Sequence, residues 1–149
     1  MGSQSLNDKA VAITRRLFDA YEAMDFNALM EIYSDDAVIE LPFHPQGKTE
    51  DSDIRRVKGT AELTDFLIPG LAKMESVRYD IEDISVTDDG ARVFVEARGD
   101  FVTDEGKSYR NRYIFRLDLR GENVVRQKEY FNVATSNAVF GDWVLKQYD

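Results

Sequence analysis

The 149-residue chain carries 28 acidic and 19 basic residues, a formal charge of −9, no cysteine and one histidine, His44. These counts exclude disulfides, thiol chemistry, sulfur-ligated zinc and a histidine-rich metal centre, and the acidic balance argues against a nucleic-acid partner, whose phosphates call for a basic surface. With 43% hydrophobic and 32% charged residues, the composition is that of one globular domain long enough to bury a continuous core.

The N-terminal "MGSQSLNDKA" lacks a basic-then-apolar leader pattern, and no apolar run reaches the roughly 20 residues that span a bilayer. A cytoplasmic protein without membrane association is expected, with residues 1–9 as a flexible N-terminus and 10–149 as a single domain. From Asn7 to Met24, apolar residues at Ala10, Ile13, Leu17, Ala20, Tyr21 and Met24 recur every three or four positions, the stripe of an amphipathic helix capped by Ser5 or Asn7. Asp25 can cap a second short helix carrying Ala28, Leu29, Ile32 and Tyr33. "AVIELP" then alternates as a short strand ended by Pro42. Residues 43–57 are polar and aperiodic and read as a long loop, in which His44 is expected to be exposed. A third helix begins near Thr60 and runs through Leu63, Phe66 and Leu67 until Pro69-Gly70 kink or stop it.

Four strand-like runs follow, at 77–87, 91–103, 107–119 and 124–133. Helices first and an antiparallel meander after them give an α+β layout, with helices covering one face of a curved sheet. Turn chemistry sets the registers. "DEG" at 104–106 suits a three-residue hairpin loop with Gly106 left-handed, which places Thr103 opposite Lys107, Gly99 opposite Asn111, Ala97 opposite Tyr113 and Val95 opposite Phe115. "GEN" at 121–123 can act in the same way with Asn123 at positive φ, bringing Phe115 opposite Glu129 and Tyr113 opposite Phe131. These registers gather the apolar residues of three strands on one surface, Val125 among them. The other surface holds Glu96, Arg98, Asp100, Arg110, Arg112, Ile114, Arg116, Asp118, Arg126, Lys128 and Tyr130, as a solvated face or a dimer interface.

One residue breaks the alternation. In "VVRQKEYFNV", residues 124–133, Glu129 falls on the apolar side with Gln127, beside Asn111 and Tyr113 of the neighbouring strand. Ala97 and Gly99 are small and leave room in front of Tyr113 and Asn111, the pattern of a pocket. A carboxyl group placed among Phe115, Phe131 and Val133 is driven toward a neutral pKa, where it can both take and give a proton. It needs a partner, which Gln127, Asn111 or Tyr113 can supply. Tyr33 and Trp143 read as packing residues.

The segments "AYEAMDFNALMEIYSDDAVIELP", "VKGTAELTDFL" and "YRNRYIFRLDLRGENVVRQKEYFN" together resemble the nuclear transport factor 2-like superfamily, in its SnoaL-like polyketide cyclase and phenazine-biosynthesis A/B-like branch, over residues 10 to 135. The resemblance implies a cone-shaped, curved antiparallel sheet wrapped around the N-terminal helices and a hydrophobic pocket. It also implies a homodimer, formed here through the outer sheet face, and acid–base chemistry without a cofactor or metal. The base and oxyanion-binding positions of ketosteroid isomerases match Leu41 and Leu17, the middle-strand Arg and Asp of limonene epoxide hydrolases match Ala97 and Gly99, and the pocket histidine of the phenazine proteins matches Phe66. Those activities are therefore disfavoured. The acid of the final strand is retained as Glu129.

The function expected is proton transfer by Glu129 on a small apolar carbonyl compound, in an isomerisation, dehydration or cyclisation, with Tyr113 or Asn111 donating to the developing oxyanion. Gln127, Phe115, Phe131, Ala97, Gly99, Phe66, Leu41 and Leu17 are the expected ligand-binding positions. The alternative is a non-catalytic ligand-binding or dimerisation module. An enzyme requires an accessible cavity around Glu129, whereas in a module Phe66, Leu67 or the C-terminal "VFGDWVLKQY" fills that space.

Overall fold

The structure, a computed structural model, describes residues 3–148. Helix α1 (Ser3–Glu22) starts well before the expected position, so residues 3–9 are helical, and Ser5 and Asn7 lie inside the helix. Met1 and Gly2 lie outside the described residues. The stripe buries as its spacing dictates: Ala10, Ile13, Leu17 and Ala20 are in the core, and Tyr21 and Met24 pack against it. Asp25 caps α2 (Phe26–Ile32), its carboxylate accepting from the Ala28 amide at 3.0 Å. Tyr33 belongs to strand β1 (Tyr33–Leu41) and not to the helix before it.

The loop expected at 43–57 holds more order than its composition suggests. A 3₁₀ turn spans Asp51–Asp53, and Arg55–Lys58 form strand β2, paired antiparallel with β1 through Leu41 and Arg55. Four residues, three of them basic, are too few to show an alternation, so only the pairing with β1 reveals this strand. Helix α3 (Gly59–Ala72) begins one residue before Thr60 and carries Pro69 within its last turn before ending at Ala72. The run read as a strand over 77–87 is β4 (Tyr79–Val86); a short strand that the sequence did not reveal, β3 (Met74–Ser76), precedes it, and both pair with β5 (Arg92–Thr103).

Strand β5 pairs with β6 (Ser108–Arg120), and β6 with β7 (Asn123–Phe131). The DEG loop is as expected: Gly106 has φ +78°, the Thr103 amide donates to the Lys107 carbonyl at 2.8 Å, and Ala97–Tyr113 and Gly99–Asn111 are partners. The second loop differs. Arg120 pairs with Asn123 around a two-residue Gly121–Glu122 turn, and a register shift beyond Asp118 absorbs one extra residue of β7. Val124 is consequently buried and Val125 is displaced from the inner set, while Phe115–Glu129 and Tyr113–Phe131 keep the expected pairing.

The sheet order is β2-β1-β7-β6-β5-β3, with β4 also on β5. It is mixed and not wholly antiparallel, because β1 runs parallel to β7 through Ile39–Gln127 and Glu40–Lys128. Both sheet edges are free, so the sheet does not close into a barrel. Helix α1 lies over β4 and β5, and α3 over β1 and β2. Two helices end the chain, α4 (Val133–Phe140), capped by Asn132, and α5 (Asp142–Lys146). Among the described residues no helix is long and apolar enough to cross a membrane.

Candidate functional site

Between the inner sheet face, α1, α3 and the two C-terminal helices lies a cavity of about 190 Å³. Aromatic and aliphatic side chains form nearly all of its wall: Phe115 and Phe131 from the sheet, Tyr21 from α1, Phe66 and Leu67 from α3, and Phe140, Trp143 and Tyr148 from the C-terminal segment. The C-terminal helices therefore roof the space without filling it. Leu41 and Tyr113 also line it.

Glu129 is the acid of this cavity. Strand alternation between Gln127 and Phe131 turns its side chain inward, and among the described residues it has no hydrogen bond or ion pair. The partners proposed on sequence grounds are engaged elsewhere. Burial therefore pushes its carboxyl from 4.5 up to about 7. Its residual exposure is to the cavity that it borders. A carboxyl group in that position is open to a ligand and closed to most other protein groups.

Gln127 is buried and its Oε1 accepts from Tyr33 Oη at 2.7 Å, while Tyr33 Oη lies 2.5 Å from Tyr21 Oη. Because the single Tyr33 proton goes to Gln127, Tyr21 donates to Tyr33, and the chain ends at a phenol on the cavity wall. Tyr33 thus does more than pack. Burial raises the Tyr21 and Tyr33 phenols further above their ordinary value, with the nearby Glu129 charge adding to the effect. Both stay protonated where Glu129 titrates.

Asn111 is not at the cavity. Its Nδ2 donates to Tyr109 Oη at 2.8 Å and to the Asn132 carbonyl at 3.0 Å, and its Oδ1 accepts from the Asn132 amide at 3.0 Å. It clamps the end of β7 to β6 and cannot also donate to a ligand oxyanion. The bond to Tyr109 leaves that phenol's own proton for the neighbouring Tyr113 and Ser136 hydroxyls or for a ligand. Tyr113 lies diagonal to Glu129 on adjacent strands, and burial, followed by its tyrosine neighbours, holds its phenol protonated.

Three further positions are not on the cavity wall. Leu17 and Ala97 are core residues. Gly99 does not leave open volume: a Cβ there would meet Tyr113 Cε2 at 2.8 Å, so the glycine admits the Tyr113 ring and the ring takes the space. His44 is buried and not exposed, with its ring edge-on to Tyr148 at 5.1 Å. Trp143 is a wall residue, with Lys73 Nζ 5.2 Å from its ring centre. Sequence reading missed Tyr21 as a site residue, because at helical spacing a cavity phenol looks the same as a core side chain. It also gave no structure to residues 134–149, whose apolar positions lack a clear period.

A profile of the SnoaL-like domain matches residues 14–127. The uncharacterized protein YesE of Bacillus subtilis (strain 168) is 26% identical over 135 residues, 89% of this chain and 88% of YesE. A crystal structure of a candidate isomerase from Bacillus subtilis superposes with a TM-score of 0.77 at 23% identity, covering 95% of this chain and 96% of that one. An NTF2-like protein of Burkholderia pseudomallei K96243 gives a TM-score of 0.73 at 13% identity, covering 89% and 98%.

Proposed function

The chain belongs to the SnoaL-like domain family, with the NTF2-like fold, and on that basis we propose that it is a cofactor-independent acid–base enzyme acting on a small apolar carbonyl compound, as an isomerase, dehydratase or cyclase. The observation that carries this reading is Glu129, a carboxyl without a partner among the described residues, at an apolar cavity and poised near pH 7. The isomerase description of the Bacillus subtilis neighbour supports it.

Roles divide by protonation. Glu129 takes a proton from the carbon next to the carbonyl and returns it to another position, so it needs both of its states near neutrality. The buried Tyr113 phenol, raised well above its ordinary range, remains a neutral donor, whereas Tyr21 has committed its proton to Tyr33. Tyr113 is assigned to the developing oxyanion. Tyr113 and Glu129 are cross-strand diagonal neighbours that line the same cavity, so one bound ligand can meet both.

The test is hydrogen exchange on a panel of small hydrophobic ketones in D₂O, followed by proton NMR. The protein is expected to wash out the hydrogen next to the carbonyl. Tyr113→Phe should slow exchange at saturating ketone by about 10²-fold while Glu129 still titrates. Ketones that bind without any exchange would instead identify a ligand-binding module.

The outer sheet face is assigned to a homodimer. Phe94 and Ile114 are 42% and 44% exposed there, on adjacent strands among paired charges such as Arg98–Asp80 at 2.6 Å. Sedimentation is expected to give twice the chain mass, and Ile114→Glu the monomer mass with an unchanged circular dichroism spectrum. A wild-type monomer at every concentration removes this assignment.

A further inference from the structure

A second cavity, about 280 Å³, adjoins the first and differs from it in chemistry. Its wall includes Arg55, Lys48, His44 and Asp53, with Tyr148 shared between the two cavities. In a chain of charge −9, two cations facing one carboxylate leave this hollow with a local excess of positive charge.

Arg55 is the reason to expect a ligand there. Its guanidinium makes no hydrogen bond and no ion pair among the described residues, and its buried Nε has no partner. The adjacent Arg56 takes both nearby acids, Asp51 at 3.0 Å and Glu40 at 3.5 Å. Asp53 Oδ2 accepts from the Glu50 amide at 3.0 Å, fixed within the 3₁₀ turn. What Arg55 does have is a ring: its Cζ lies 5.7 Å from the centre of Phe66, which lines the first cavity. That contact and its pairing opposite Leu41 place the cation where the two hollows meet. Arg55 is half-buried, and its buried Nε–H without an acceptor is costly; a carboxylate satisfies it through two parallel bonds.

His44 adds a fixed donor. Its Nδ1 accepts from the Gln46 amide at 3.0 Å, which puts the proton of the neutral ring on Nε2. Tyr148 is within electrostatic reach of both sites: burial and then Glu129 raise its phenol, and Arg55 lowers it. Resting on the acid–base reading of Glu129, we infer that the substrate is a small apolar oxo acid, its carboxylate held by Arg55 with Lys48 and His44 in the polar hollow and its hydrocarbon and ketone parts in the Glu129 cavity. The balance of two cations against Asp53 matches a monoanion, whereas a phosphate dianion would leave charge unmatched.

Trp143, the single tryptophan, lines the first cavity and reports its occupancy by fluorescence. The probes are ω-phenylalkanoates of increasing chain length, each paired with the alcohol of the same skeleton. At the best length the acid is expected to bind wild type at least about tenfold more tightly than its alcohol, an advantage that shrinks with added KCl. Arg55→Gln should erase the advantage without changing alcohol binding, and Arg55→Lys, which keeps the charge but not the fork, should retain part of it. Acid and alcohol binding equally to wild type, or Arg55→Gln weakening both alike, would overturn the anion site and leave the Glu129 reading standing. If no member of either series perturbs Trp143, the inference and the ligand-binding cavity it rests on fall together.

Discussion

Replacing Glu129 with glutamine is expected to lower turnover by about 10²–10⁴-fold, the usual contribution of a positioned general acid–base group. The substitution keeps the shape of the side chain and removes only the proton traffic. In wild type, the proton-abstraction rate should rise with pH through about 7 as the carboxyl ionises, and the variant should lose that dependence. The same substitution should move stability in the opposite direction. A pKa raised from 4.5 to about 7 means that the folded state holds this proton more tightly than the unfolded chain does. The contribution of the group to stability is therefore complete below the lower value and is lost as pH rises through the upper one, by up to about 3 kcal/mol. Glutamine never ionises, so Glu129→Gln should withstand more urea than wild type at mildly alkaline pH, with the two curves converging in acid. An inactive variant with improved stability is the signature of a residue kept for chemistry. A variant that is both fully active and no more stable would show that Glu129 is neither the proton carrier nor strained by its surroundings.

The second large effect is structural and lies on the outer face. Glu40 is buried, yet three cations from two strands converge on it: Arg126 bonds to Oε1, Arg56 Nε lies at 3.5 Å from the same oxygen, and Lys128 Nζ lies at 3.7 Å from Oε2. The register accounts for this. Glu40 sits opposite Arg56 on β2 and opposite Lys128 on β7, so one carboxylate ties an edge strand and a central strand to β1. Glu40→Ala leaves three like charges around a vacated buried site and is expected to cost about 3 kcal/mol in urea unfolding, at the low end for a broken buried pair because the cations can turn to water. Glu40→Gln should cost less, since its amide oxygen still accepts a bond. A loss below about 1 kcal/mol for Glu40→Ala would class the cluster with ordinary surface pairs.

How much of this could be read from residues alone depended on whether the relevant contact was local. The β5–β6 register followed from Gly106, because a three-residue loop with one left-handed position leaves little choice of pairing. Glu129 followed from alternation for the same reason, and it survived an error in the loop that precedes it. The Gly121–Glu122 turn is one residue shorter than expected, but the bulge near Val125 restores the phase before residue 127. Neither β2 nor the parallel β1–β7 pairing was legible, since both depend on residues far apart in sequence. Asn111 shows a different limit. Its inward register was correct, but the competing claim of the Asn132 backbone on its amide can be seen only once β7 ends beside it. Tyr21 and the C-terminal roof were missed because an aromatic residue that faces a void and one that faces a neighbour leave the same trace in a sequence.

The parallel seam between β1 and β7 has a kinetic consequence. It joins residues 38–40 to 126–128, so the strand that carries the acid finds its second neighbour only after most of the chain has been laid down. Hairpins close early because their ends are near each other, whereas this seam must wait for a distant search. During refolding from urea, β5–β6–β7 hairpin signals should therefore appear before the Trp143 fluorescence of the closed cavity, which arrives late. Until the seam zips shut, the carboxylate stays wet and ordinary.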